Sequence, residues 1–259
     1  MPTIPLKNFD CHYSHEYFGQ EETIVFSNSL GCDLSMWEEN IDILSHHFNV
    51  LRYDTRGHGK SSINQDHITV KELAEDVIGL LDYLNLKKVI FCGLSMGGLI
   101  GQHLGIHYSS RFSKIILCNT AAKIGTREGW SSRIAQVTQH GLSSILDGTA
   151  ERWFTEEYRE KYPEKIKEIL HVFSTNSLQG YTACCAAVRD ADFREELRKL
   201  EVPAMIISGT KDLVTTIEDG NFLQREIPVS SHVSMRTAHL SNKENPEEFS
   251  KYIIFISEH

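Results

Sequence analysis

The chain of 259 residues has no surplus of positive charge, no long apolar run and no paired-cysteine motif, and each absence removes a class of function. With 26 Lys and Arg against 35 Asp and Glu, its formal charge is -9. Such a field repels nucleic-acid backbones and anionic membrane surfaces at long range, so neither is an expected partner. No stretch of about eighteen apolar residues is present, and the N-terminus has no charged leader followed by an apolar run. Export and membrane spanning are therefore not expected, and the expected location is the cytoplasm. Cys11, Cys32, Cys92, Cys118, Cys184 and Cys185 are scattered without a C-x-x-C pair, which favours reduced, buried thiols. The thirteen histidines lack metal-ligand spacing, and adjacent Cys184 and Cys185 cannot easily clamp one ion, so no metal or other cofactor is expected. A phosphate loop is missing too: the Gly59-Lys60-Ser61 end requires a glycine five residues earlier, where Asp54 stands. Repeats and low-complexity segments are absent.

What is present is a globular composition, 41% hydrophobic and 24% charged, enough for one domain with an insertion. Continuous apolar runs at Thr23–Ser27, His47–Asp54, Val89–Cys92, Lys114–Asn119, Val202–Ser208 and Val233–Ala238 read as strands. Between them lie helical stretches. From Thr69 to Leu84, apolar residues recur at three and four, with Thr69 as cap and Glu72 completing a capping box. Others start near Met36 and cover Thr216–Glu226 and Pro246–Ser257. Alternating helices and non-alternating strands predict a mostly parallel central sheet with helices on both faces. From about Ala122 to Asp192 helical periodicity continues without strands and is rich in aromatics. We expect a helical cap over residues 122–192, inserted in a core of residues 1–121 and 193–259.

Gly93-Leu94-Ser95-Met96-Gly97 fits G-x-S-x-G, the pattern of a nucleophile elbow, in which a serine sits on a strained turn between a strand and a helix. A serine hydroxyl is a weak nucleophile at neutral pH and needs a base, which needs a carboxylate to hold its tautomer. Asp212 and His239 suit these roles, since both follow predicted strands and the order Ser, Asp, His is that of the α/β-hydrolase fold. Catalytic roles are therefore expected for Ser95, Asp212 and His239. The expected oxyanion hole combines the backbone amides of Met96, after the nucleophile, and Leu30, in the turn after the first apolar run.

Several stretches make the chain resemble the 3-oxoadipate enol-lactonases of bacterial aromatic catabolism. They are SNSLGCDLSMW at Ser27–Trp37, YDTRGHGKS at Tyr53–Ser61, GLSMGGLIGQHLG at Gly93–Gly105 and LCNTAAKIGTREGWSSR at Leu117–Arg133. ERWFT at Glu151–Thr155, GYTACCAAVRDADFR at Gly180–Arg194 and AHLSN at Ala238–Asn242 add to these. The serine elbow and the DTRGHGKS loop are common to many α/β-hydrolases, whereas the stretches of the expected cap discriminate more finely. The resemblance implies an α/β-hydrolase fold and hydrolysis of a five-membered enol-lactone bearing an acetate side chain. It implies 3-oxoadipate as product, through an acyl-enzyme, in the β-ketoadipate pathway. Fold and triad do not set substrate. A carboxylesterase, a carbon–carbon bond hydrolase, or a non-catalytic receptor retaining the pocket are the competing readings. An acidic protein that binds a carboxylate needs a local cation or a set of neutral donors. Trp130 and Arg133 share a helix face one turn apart and are the first candidates for the substrate site. Arg189 is the second cation, and Trp153 a further aromatic of the expected cap. The expected partner is a small lactone; whether the chain is a monomer is not legible.

Overall fold

The computed structural model describes residues 1–258, with side chains through Phe255. Its middle is built from strands whose residues are buried on both faces: β3 (Thr23–Ser27), β4 (Asn49–Tyr53), β5 (Val89–Leu94) and β7 (Ala204–Gly209), with β6 (Phe112–Cys118) buried over its second half. Such two-sided burial is what continuous apolar runs demand. Two N-terminal strands, β1 (Thr3–Leu6) and β2 (Phe9–Glu16), and an edge strand β8 (Ser230–Met235) complete one sheet in the order β1-β2-β4-β3-β5-β6-β7-β8. From β4 to β8 all pairings are parallel; β1 with β2 and β2 with β4 are antiparallel.

The helices of the core are α1 (Glu38–Leu44), α2 (Val70–Tyr83), α3 (Met96–His107), α9 (Ile217–Glu226), α10 (Ser241–Glu244) and α11 (Pro246–Glu258). Helix α2 starts as expected: Thr69 accepts from the Glu72 amide, and the Glu72 carboxylate takes the Thr69 amide. Its buried stripe of Leu73, Ala74, Val77, Leu80 and Leu81 is the periodic face. Between β6 and β7 the chain makes α4 (Arg127–His140), α5 (Leu146–Trp153), α6 (Glu156–Lys161), α7 (Pro163–Thr175) and α8 (Leu178–Asp190), with no intervening strand among the described residues. No helix of these residues is long and apolar enough to cross a membrane. All six cysteines are free and buried.

Two differences from the sequence reading bear on the site. The β1–β2 hairpin has no counterpart there. Its polar residues His12 and Ser14 are buried because they find partners in Asp54, 2.7 Å from His12 Nδ1, and in Glu16, 2.7 Å from Ser14 Oγ. The last strand lies three residues earlier than Val233–Ala238. At the sheet edge Ser231 and Ser234 are tolerated exposed, and Ser230 is half-buried with its hydroxyl donating to Gln224 O and Ile227 O, so apolar content fails to mark the strand.

The five-helix segment meets the core through backbone. A Cβ built on Gly180, at the start of α8, would lie 2.2 Å from the Gly57 carbonyl oxygen. Asn176 beside it donates to Gly31 O at 2.8 Å and accepts from the Gly59 amide at 3.0 Å. On the other side the Leu240 amide donates to Trp153 O at 3.1 Å.

Candidate active site

The turn from β5 to α3 holds Ser95 at φ 58 and ψ -112, a conformation that costs a non-glycine residue on the order of 1–3 kcal/mol. Neighbouring contacts impose it. The Ser95 amide donates to Cys118 O at 2.9 Å, and Thr120 Oγ1 donates to Ser95 O at 2.8 Å. The flanking glycines are required by close approach: a Cβ on Gly93 would lie 2.1 Å from Gly97 O, and one on Gly97 2.2 Å from Ser27 O of β3.

Asp212 and His239 leave the carboxyl ends of β7 and β8. His239 Nδ1 and Asp212 Oδ2 are 2.8 Å apart, both side chains almost wholly buried. Asp212 Oδ2 also accepts from Thr215 Oγ1 at 2.8 Å and Asn119 Nδ2 at 3.0 Å, and Oδ1 accepts from the amides of Val214 and Thr215. Burial alone would raise the Asp212 pKa, but the His239 charge, its hydrogen bond and the other donors outweigh that and hold the carboxyl below its ordinary value. Asp212 therefore stays ionised and fixes Nδ1 as the protonated nitrogen, leaving Nε2 as the basic one.

Ser95 and His239 line one cavity of about 480 Å³ beneath α4 and α5. No direct hydrogen bond joins the two side chains, and such catalytic contacts commonly tighten only in the complex with substrate. Leu30 lies on the cavity wall; Met96 follows Ser95 and is buried behind it. The Gly97 amide is taken by Asn28 O and the Gly98 amide by Ser95 O, whereas among the described residues the Leu30 and Met96 amides have no acceptor. These two donors suit an oxyanion.

Of the residues considered for substrate, Trp130, Arg133 and Trp153 all line the cavity. Trp130 Nε1 donates to Ile124 O at 2.7 Å, which fixes the indole. Arg133 is held by Tyr181, whose hydroxyl accepts from Nε at 2.7 Å, and by Thr149 Oγ1, 3.3 Å from Nη2. The structure does not bring Arg189 to this cavity: its guanidinium grips Asp190 through Nε at 3.0 Å and Nη2 at 2.8 Å. An adjacent carboxylate at the helix end captures it first.

Three residues absent from the sequence reading belong to the site. Arg152 lines the cavity, and its place directly before Trp153 in the ERWFT stretch was the available signal. Tyr181 lines it too, and burial pushes its phenol well above the ordinary range. Asn119, in the left-handed region at φ 42, donates to Asp212 and, at 3.1 Å, to Ala238 O beside His239, while its own Oδ1 accepts from Ser241. It ties the loops after β6, β7 and β8 together; nothing local in the sequence announces this. Among the described residues no cluster of three metal-ligating side chains occurs.

Comparison with known proteins bears on this arrangement. The family model described as serine aminopeptidase, S33 matches residues 21–239, a span that holds Ser95, Asp212 and His239. The chain is 41% identical over 255 residues to 3-oxoadipate enol-lactonase 2 of Acinetobacter baylyi, covering 96% of both chains. It is 42% identical over 226 residues to 3-oxoadipate enol-lactonase 1 of the same organism, covering 87% of this chain and 85% of that one. Among solved structures it is similar to the enol-lactonase from Burkholderia xenovorans LB400, with TM-score 0.97 and 39% identity over the whole of both chains.

Proposed function

Because the chain belongs to the 3-oxoadipate enol-lactonases of the α/β-hydrolase superfamily, we propose that Ser95, Asp212 and His239 open 3-oxoadipate enol-lactone to 3-oxoadipate at this cavity. The observation that carries the proposal is the joint one: a serine on a strained elbow and a carboxylate-held histidine on the same cavity wall.

The geometry supports the following steps. His239 Nε2 takes the Ser95 proton as the hydroxyl attacks the ring carbonyl, and the imidazolium is stabilised by ionised Asp212. Charge arriving on the carbonyl oxygen meets the Leu30 and Met96 amides and the N-terminal end of α3. Collapse expels an enolate, a better leaving group than a simple alkoxide, so little protonation is asked of His239. Opening a ring leaves the departing oxygen tethered to the acyl-enzyme, where its high effective molarity favours re-closure. Ketonisation, in which the enolate carbon takes up through solvent the proton that His239 drew from Ser95, removes that nucleophile and leaves His239 neutral. Water activated by His239 then releases the dicarboxylate and restores Ser95.

The helical segment, residues 122–192, serves in this reading as a cap that carries the substrate-binding groups: Trp130 and Trp153 pack on the ring, and Arg133 faces the acetate carboxylate. The lining supports this charge preference, because a protein of net charge -9 has here two arginines and no acidic side chain. The six free, buried thiols support a reducing compartment, the cytoplasm. The test is the decay of enol-lactone absorbance with purified protein beside simple esters. The reading expects the enol-lactone to be turned over with the higher kcat/KM by at least tenfold, and equal rates on both would refute the assigned substrate.

A further inference from the structure

Arg152 is the cation of the cavity that has nothing to hold. Among the described residues its guanidinium makes no hydrogen bond and no ion pair, although it is only partly exposed and sits on the wall of the site. Arg133 differs. Its Nε and Nη2 are engaged by Tyr181 and Thr149, so the side edge of that guanidinium, one of its two forks for a carboxylate, is already occupied. The end edge of Arg133 and all five donors of Arg152 remain.

The two groups are close enough to affect one another. Burial first, and then the Arg133 charge, disfavour the charged form of Arg152, against smaller opposing contributions from Tyr181 and Glu151. Two guanidiniums on the wall of one cavity, with no carboxylate on its lining, repel one another. An anion between them adds an attraction to each that offsets their repulsion. Local geometry also reserves the space: Gly148 lies one turn before Arg152 on α5, and a Cβ there would come within 3.3 Å of Arg152 Nη1. Glycine at 148 leaves room for the guanidinium to lie along the helix toward the cavity.

We infer that Arg152 is a specificity-determining residue of this site, gripping the substrate's carboxylate together with Arg133, so that the acid side chain is held between two guanidiniums. Arg133, braced by Tyr181 and Thr149, is the fixed member of the pair; Arg152 is the member that closes on the ligand. The inference rests on the lactonase reading for the identity of the substrate. It requires an anionic group on the ligand and nothing else about its chemistry.

Two measurements separate the inference from that reading. The first compares kcat/KM for the enol-lactone carboxylate with that for its methyl ester, in wild type, Arg152→Met, Arg152→Lys and Arg133→Met. Arg152→Met should lower the acid-over-ester ratio at least tenfold, and Arg152→Lys should recover part of it. The double variant should lose less than the product of the single losses, since both residues hold one group. The second uses adipate and dimethyl adipate as ligands in calorimetric titration of the Ser95→Ala protein, with and without Arg152→Met. Adipate binding should weaken at least tenfold and the preference over the diester should collapse. An unchanged acid-over-ester ratio and unchanged adipate affinity in Arg152→Met would overturn the assignment. If wild type turned over no enol-lactone while adipate affinity still depended on Arg152, the substrate would be wrong and the anion site right.

Discussion

Gly180→Ala inserts one methyl group where the helical segment touches the core, far along the chain from Ser95. The added Cβ would stand 2.2 Å from Gly57 O and 2.5 Å from Gly57 Cα. Restoring ordinary contact requires the backbones to part by roughly 1 Å, since carbon contacts are optimal near ~3.5–4 Å and oxygen contacts slightly shorter. Overpacking of this kind costs about 1–3 kcal/mol, and the gain from replacing a helical glycine returns about 0.5–1 kcal/mol. A net loss of up to about 2.5 kcal/mol leaves the protein folded. The next residue is Tyr181, which braces Arg133 through a 2.7 Å hydrogen bond and lines the cavity. Displacing it by ~1 Å should lower kcat/KM for the enol-lactone ten- to a hundredfold, as misplaced binding groups do. The assay is steady-state turnover with thermal unfolding measured on the same preparations. Gly79→Ala serves as control: in α2 its Cβ meets only Leu6 at 3.6 Å, so it should stabilise by about 0.5–1 kcal/mol and leave turnover alone. If Gly180→Ala kept both wild-type stability and wild-type kcat/KM, the contact would not be setting the position of the cavity wall.

Asn119→Ala removes one donor from Asp212 and leaves Ala238 O and the Ser241 hydroxyl without their partner; it should cost about 2–4 kcal/mol in chemical denaturation and lower kcat more than it raises KM. A folded variant with unchanged kcat would remove Asn119 from the positioning of His239. Asp212→Asn and His239→Ala should each reduce kcat by on the order of 10³–10⁴, and the double variant should fall far short of the product, because the groups act as a unit; multiplicative losses in steady-state kinetics would contradict that. His58 is buried with Nε2 unpartnered, and burial lowers its pKa to about 4. Between an ordinary pKa of about 6.5 and that value the unfolded chain binds a proton that the folded chain refuses, so stability falls as pH falls, by about 2 kcal/mol from pH 7 to 5. His58→Gln lacks this term, and its deficit against wild type, measured by denaturant unfolding, should shrink by about that amount over the same range.

The parts of the fold that could be read directly are those where one local rule acts alone. The uninterrupted runs of β3, β5 and β7 mark strands because burial on both faces admits little else, and Thr69 with Glu72 marks the start of α2 because both bonds of the capping box are made within four residues. The hairpin β1–β2 hides because His12 and Ser14 look exposed until Asp54 and Glu16 supply their partners. The site divides the same way. Ser95 is announced by glycines that steric contact requires, whereas Asn119 depends on three loops meeting in space. Arg189 and Arg152 show how far sequence reaches for charges: each lies next to a suggestive neighbour, and only the fold shows that Asp190 consumes the first while the second is left unpaired in the cavity.

The central claim is that Ser95 is the nucleophile that opens the enol-lactone. It is tested most directly by following enol-lactone absorbance with wild type and Ser95→Ala at equal concentration, with folding of both confirmed by thermal unfolding. The account predicts turnover by the wild type and a loss on the order of 10⁴-fold or more in kcat for the variant, with what remains coming from the oxyanion donors and substrate positioning. A folded Ser95→Ala protein that turned over the lactone within tenfold of wild type would contradict it.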